Sequence, residues 1–230
     1  MADARHARML DELGTEIACG TLRSGTVLRV EQLQGRFGVS RTVAREVVRT
    51  LEAMRLTTSK RRVGVTVRDP AEWNHYDPRL IRWRLDGEGR TSALRTLTEL
   101  RAAVEPSAAR YAALRAGPDE RGRLRALADQ LASTAQDADL QAFLEHDIAF
   151  HHLVLTASGN PMFGQLSEVV AEVLTGRTGH GLMPQRPQPE AVRLHVEVAV
   201  AIVAGQPDRA ERAMRDIVVQ AREEMFELIE

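Results

Sequence analysis

Asp147 and His151 stand four residues apart in a stretch with helical periodicity, so their side chains project from one helix face a turn apart. His195 lies in a second, largely apolar stretch, Val192–Val203. A carboxylate and two imidazoles converging in a helical bundle make a ligand set for a divalent ion such as Zn²⁺, Mn²⁺ or Ni²⁺. The same spacing also fits a plain hydrogen bond on a helix surface, and spacing alone leaves both open. His152 follows His151 and points about 100° away on the same helix, toward a supporting or surface role.

The dipeptide His146-Asp147 raises a different chemistry, that of a metal-dependent hydrolase built on helices. Such an enzyme needs further His and Asp ligands and a general base. Candidates are few: His180 sits in a Pro/Gly-rich segment, and His75 precedes the helical half. No catalytic residue is assigned, and an enzyme is not expected.

A second set of residues suits nucleic acid. Ser40 is placed to cap a helix on which Arg41, Thr42 and Arg45 face outward and Val43, Val47, Val48 and Leu51 face inward. Arginine is the usual bidentate partner of guanine edges, and threonine can meet a phosphate or a thymine methyl. Arg61, Arg62 and Gly64 follow in a basic, glycine-bearing run that reads as a wing reaching the DNA backbone or minor groove. Helix, glycine turn at Gly38, amphipathic helix and basic hairpin together specify a winged helix-turn-helix.

The elements that must carry these groups can be read from periodicity and punctuation. Leu10, Leu13 and Ile17 mark a helix from about Arg5 to Gly20; Arg23–Thr26 is a turn; Val27–Val30 is a short strand; a brief helix spans about 31–37. The recognition helix runs to about Met54 and Val63–Val67 alternates as a strand. Asp69-Pro70 closes this module. Residues 70–90 read as a linker and docking segment, with Trp73 and Trp83 stapling the domains. Beyond it only helical periods occur, near 91–116, 119–136, 138–157, 161–177, 189–204 and 207–229, with Gly179–Pro189 as a loop. The fold class is therefore mainly α: a winged helix-turn-helix domain over 5–69, a linker over 70–90 and an all-α bundle over 91–230.

Charge is divided in the same way. Residues 1–70 hold 13 Lys+Arg against 8 Asp+Glu, while residues 71–230 hold 18 against 24, so the net charge of −1 conceals a basic module joined to an acidic one. No apolar run approaches the ~20 residues of a membrane span. The first residues lack the apolar core of a signal peptide, and the single cysteine, Cys19, suits a reducing cytoplasm.

The first module resembles the winged-helix domain of the GntR family of bacterial transcriptional regulators, through Leu13–Gly20, Gly25–Leu28, Leu33, Phe37–Arg41, Arg45–Val47, Leu51 and Gly64–Val67. It departs from the family where Ser24-Gly25 replaces Pro-Gly, where Gly35 sits in the second helix, and where Arg55 replaces a glycine before the wing. Residues 91–226 resemble the FCD ligand-sensing domain of the FadR subfamily, through Glu99–Pro106, Asp147–His151, Ser158–Asn160 and the stretch from His195 to Gly205. In metal-binding members the ligands are an aspartate and three histidines. The resemblance places Asp147, His151 and His195 at three of these positions and Ile217 at the fourth, so that solvent or the effector completes the shell, or no metal binds.

The resemblance also implies that Arg101 and Asn160 contact an acidic effector. Arg101 lies in an Ala/Leu-rich helix, where a guanidinium is costly unless paired; a salt bridge to Glu105 is the simpler alternative. The segment Glu72–Trp83 is similar to the linker of subfamily members that control sugar-acid catabolism. The expectation is a homodimeric, cytoplasmic repressor that binds double-stranded operator DNA and responds to a small organic acid. A regulator of the same fold that uses no metal is the main alternative.

Overall fold

The computed structural model describes residues 2–184 and 186–227. The chain forms two compact units, Met1–Ala93 and Leu94–Glu230, with the division inside one helix, α5.

The first unit holds α1 (Ala2–Ala18), β1 (Val27–Leu28), α2 (Val30–Phe37), α3 (Arg41–Ala53), β2 (Thr57–Lys60), β3 (Gly64–Val67) and α4 (Pro78–Asp86). The turn before α3 is set by two residues. Gly38 ends α2 at φ 61°, a left-handed conformation that suits glycine, and Ser40 Oγ accepts from Val43 N–H at 3.3 Å to cap α3. Ala44, Val47, Val48 and Leu51 then bury one face of α3, with Val43 half-buried at its edge. The wing is a three-stranded antiparallel sheet in the order β1-β3-β2, with Leu28 opposite Val65 and Lys60 opposite Gly64. Gly64 is where β3 meets β1: a Cβ there would lie 2.9 Å from the Leu28 carbonyl oxygen. Arg55 adopts φ 61°, a left-handed conformation that favours glycine at that point.

The segment read as a linker is folded. Asp69 caps a 3₁₀ turn over Pro70–Glu72, and Asp77 caps α4 by accepting from Arg79 N–H at 3.0 Å. Trp83 belongs to the core of the first unit. It packs on α1 over Gly14, where a Cβ would lie 2.3 Å from its ring, and its indole N–H donates to Asp11 at 3.3 Å. Leu80 and Trp83 thereby join the core of Met9, Leu13 and Ile17. An indole that can bury its ring and still find a carboxylate needs no second domain.

The second unit is all helix: α5 (Arg90–Arg115), α6 (Pro118–Gln136), α7 (Leu140–Ala157), α8 (Pro161–Gly164), α9 (Ser167–Gly179), α10 (Pro189–Val203) and α11 (Pro207–Glu227). The helix expected over 161–177 is two helices, broken at Gln165-Leu166, and part of the expected end near 229 lies outside the described residues. α7 buries residues all round, including Phe143, Phe150 and Leu155, and packs against α6 and α9; α10 packs on α6 and α11. An apolar helix of this kind must be central. The polar groups it carries inward are consequently held in a low-dielectric interior. No helix among the described residues is long and apolar enough to cross a membrane.

Candidate functional site

α7 carries Asp147 and His151 on one face, and α10 brings His195 to meet them. All three are buried, and one ligand atom from each can be chosen so that the set lies within 4.8 Å of one another. His195 Nδ1 lies 2.7 Å from the Ala191 carbonyl one turn earlier, which orients the ring so that Nε2 is 3.0 Å from Asp147 Oδ1. His151 Nε2 lies 3.3 Å from the same oxygen. Both imidazoles thus present Nε2 to one carboxylate and turn Nδ1 toward an acceptor. A carbonyl or carboxylate on the far ring nitrogen is how ligating histidines are held in their tautomer, so this donor set fits a divalent ion. Phe150 flanks both rings, with centroids at 6.0 and 5.2 Å, and restricts their rotation.

The far partner of His151 is Glu105, which the sequence presents only as a mate for Arg101. Its Oε2 is 2.5 Å from His151 Nδ1, an ion-pair contact that is not aligned as a hydrogen bond. Its Oε1 accepts from Arg101 Nε at 2.5 Å, and Oε2 accepts from Arg101 Nη2 at 3.4 Å. Burial pushes the Glu105 carboxyl up, but Arg101 and His151 together outweigh it and hold the group at about 2. Burial pushes His151 down, but Glu105 and Asp147 raise it to about 9. Asp147 is held well below the usual carboxylate range, because hydrogen bonds from the two histidines outweigh its burial. Arg101, Glu105, His151 and Asp147 form a buried network with alternating charge, and His195 joins it through its contact with Asp147. Removing one member of such a network leaves an uncompensated buried charge at a cost of about 3–5 kcal/mol.

Arg101, Asp147, His151, His195 and Ile217 all line one cavity of about 30 Å³, room for an ion and a water or two. Arg101 lines the cavity while paired to Glu105, the salt bridge that the sequence offers as the simpler alternative. Ile217 is 4% exposed and closes the wall with an aliphatic chain that cannot coordinate. Arg177 and Gln220 line the same cavity and were not foreseen: a single arginine near a helix end reads as solvated, and a glutamine carries no signal. Asn160 does not line it. Its Oδ1 accepts from Met162 N–H at 3.0 Å and caps α8, a backbone role in place of the effector contact expected of it. His146 is half-buried and does not line it either, which removes the hydrolase dipeptide from the site.

In the first unit Arg41, Thr42 and Arg45 are exposed on α3, and Arg61 and Arg62 are exposed at the tip between β2 and β3. Arg62 makes the tight turn at φ 68°. Recognition helix and wing share a groove lined by Arg45, Arg49, Lys60 and Arg61, with Gly64 at its base. Arg41 has an exposed Glu31 at 3.8 Å, and Arg49 pairs with Glu46 at 2.7 Å. Exposed pairs of this sort are weak enough to exchange for phosphate. Arg49 and Lys60 extend the basic face beyond the residues singled out from sequence.

Comparison with known proteins agrees with both units. Residues 6–67 match the family model "Bacterial regulatory proteins, gntR family", and residues 96–220 match the FCD domain. The "Galactonate operon transcriptional repressor" of Escherichia coli (strain K12) is 30% identical over 225 residues, covering 96% of each chain. The fold is shared by "E. coli McbR/YncC", with a TM-score of 0.56 at 16% identity over 98% of this chain and 99% of the other. It is shared also by "Streptococcus agalactiae GntR", at 0.53 and 21% identity over 95% and 99%. The chain belongs to the GntR family of bacterial regulatory proteins: it is a DNA-binding transcriptional regulator with an FCD domain behind its winged helix, and not an enzyme.

Proposed function

We propose that this chain is a repressor, acting in the cytoplasm as a homodimer on a two-half-site operator and controlled by a small organic acid bound beside Asp147, His151 and His195. The observation that carries this reading is the buried junction of those three side chains with Arg101 and Arg177 around one cavity. Cations and imidazoles around an enclosed space attract an anion, and the likeness to a galactonate operon repressor supports a sugar acid as its class. On the DNA side, Ser40, Arg41, Thr42, Arg45, Arg61 and Arg62 would make the contacts, with Gly64 setting the wing. Two-fold symmetric dimers match pseudo-palindromic sites, so operator symmetry follows from the proposal.

Asp147, His151 and His195 would also hold a divalent ion such as Zn²⁺, Mn²⁺ or Ni²⁺. Such an ion would supply a fixed positive charge toward an anionic ligand. With Ile217 in the wall, three protein ligands leave positions for solvent or the effector. A second reading has its own support: Asp147 already bonds His195 at 3.0 Å, and a charged His151 between Glu105 and Asp147 is electrostatically satisfied without metal. Metal content of the purified protein separates the two. Operator binding, measured against increasing concentrations of sugar acids, tests the regulatory reading. A ligand can move that equilibrium only by its difference in affinity for the DNA-competent and incompetent states. Acids that bind the protein without changing its affinity for operator would refute control by that site.

A further inference from the structure

The polar groups of the cavity differ in one respect. Arg101 is committed to Glu105 through two bonds, Asp147 to His195, and His151 is ion-paired on its two sides with Glu105 and Asp147. Arg177, at the end of α9, is 7% exposed, and its Nε is buried with no hydrogen-bond partner. Among the described residues its ion pair is a loose one, Nη2 to Glu224 Oε2 at 3.8 Å. Burial pushes the Arg177 guanidinium down and the nearby Arg101 pushes it further, so it is short of negative charge.

Gln220, on α11, faces the complementary problem. Its Nε2 donates to Glu224 Oε1 at 2.8 Å, which fixes which end of the amide is which. Its Oε1 is thereby left as the end without a donor, and it too is buried without a partner. One cavity thus has a buried donor on a cation and a buried acceptor on a neutral amide, both positioned by the same Glu224. Buried polar groups are satisfied as a rule, and the exceptions call for a ligand or a functional reason.

We infer that Arg177 and Gln220 are the specificity-determining pair of this cavity, Arg177 taking the carboxylate of the acid and Gln220 accepting from one of its hydroxyls. This rests on the effector reading above and assigns the two contacts that would read the acid. A plain carboxylate satisfies Arg177 and leaves Gln220 Oε1 without a donor; a polyol does the reverse. A site built around a hydroxyl rejects the analogue that lacks it, because its own buried group is then unpaired. Arg101 is a positioning residue in this scheme, holding Glu105 against His151. At about 30 Å³ the cavity must open to take even the shortest of these acids, so binding displaces part of its wall.

The test uses the full-length protein and a matched panel: glycolate, lactate, glycerate and gluconate against acetate, propionate and glycerol. Binding is read by calorimetry and thermal shift, with operator binding and circular dichroism as controls for folding. At least one hydroxy acid should bind about 10- to 100-fold more tightly than its deoxy analogue, the cost of one buried group left unpaired. Gln220→Leu should level that ratio while retaining carboxylate binding. Arg177→Gln should weaken every carboxylate, with Arg177→Lys recovering part of it.

The inference is overturned if Gln220→Leu keeps the full hydroxyl preference, if folded Arg177→Gln binds the panel like the parent, or if no hydroxy acid binds the parent. Loss of all binding in Asp147→Ala together with normal binding in both of these variants would keep the effector reading and dismiss this one. Binding that is intact but leaves operator affinity unchanged would do the opposite.

Discussion

Glu105 Oε2 lies 2.5 Å from His151 Nδ1, on the opposite side of the imidazole from Asp147, whose Oδ1 lies 3.3 Å from Nε2. An imidazole between two buried carboxylates is stabilised as imidazolium. The same contacts prepare it as a ligand, because a divalent ion at Nε2 would replace one proton while Glu105 retains the other.

This position gives a pH dependence with a definite sign. In the metal-free protein His151 is raised from 6.5 to about 9, so its stabilisation is complete below pH 6.5 and is lost as pH rises through about 9. Glu105 is lowered from 4.5 to about 2, so its contribution is present above pH 4.5 and lost as pH falls through about 2. Asp147 shifts in the same direction as Glu105. Melting temperature with chelator should therefore plateau between pH 4.5 and 6.5 and fall on either side. Affinity for added Zn²⁺ should rise over the window from 6.5 to 9, as the proton it displaces becomes easier to remove. A metal-free protein equally stable at pH 6.5 and 9 would contradict the arrangement.

Gly14 and Trp83 make a second prediction, free of any ligand. A Cβ at Gly14 would lie 2.3 Å from the Trp83 ring, so Gly14→Ala must push the indole off α1 or separate α1 from α4. Ordinarily this change would stabilise a helix by up to ~1 kcal/mol. Here overpacking should reverse the sign and cost about 1–3 kcal/mol. Thermal unfolding of Gly14→Ala, with operator binding as a second readout, checks it; a higher melting temperature would mean that the indole is not held where it lies.

These two relationships show what a linear reading can reach. Ser40, the inward valines of α3 and the glycine turn at Gly38 are local signals, and they fold as their neighbours dictate. Asp147 and His151 share a face because they are four apart on one helix. Glu105 reaches His151 across 46 positions of chain and Trp83 reaches Gly14 across 69, and no short-range pattern carries either. The tryptophans read as bridging groups because aromatic area must be buried somewhere; where it goes depends on a notch that only a glycine in the facing helix provides. Asn160 was a polar residue in a shared motif, and a capping role written into the backbone has the same signature as a binding role.

The groove between α3 and the wing predicts two kinds of DNA phenotype. Arg45 is exposed on the recognition helix, and Lys60 and Arg61 face it from the wing. Arg45→Ala should cost about 1–3 kcal/mol on the preferred operator and relax its sequence preference, if the guanidinium reads a base edge. Lys60→Ala and Arg61→Ala should weaken binding to all sequences alike and reduce the slope of log K against log salt by about 1 each. Salt-dependent binding titrations on operator and scrambled DNA distinguish these outcomes. Equal losses on both DNAs for Arg45→Ala would reassign it to the backbone.

Ile217 offers the sharpest separation of a metal site from a metal-free network. It is buried in the wall of the cavity that Asp147, His151 and His195 share, at the position that resembles a fourth ligand. Ile217→His places an unpaired imidazole in an apolar wall, so without metal the variant should lose stability, by about 1–3 kcal/mol for one buried polar group. With metal the sign should invert. A fourth ligand completes a tetrahedral set, and affinity for Zn²⁺ should rise at least about tenfold, or ~1.4 kcal/mol. The pair of melting curves, with chelator and with Zn²⁺, therefore moves apart relative to the parent if the three native ligands hold an ion. If both curves fall by the same amount, the histidine is merely a misplaced polar group, and Asp147, His151 and His195 bind one another and nothing else.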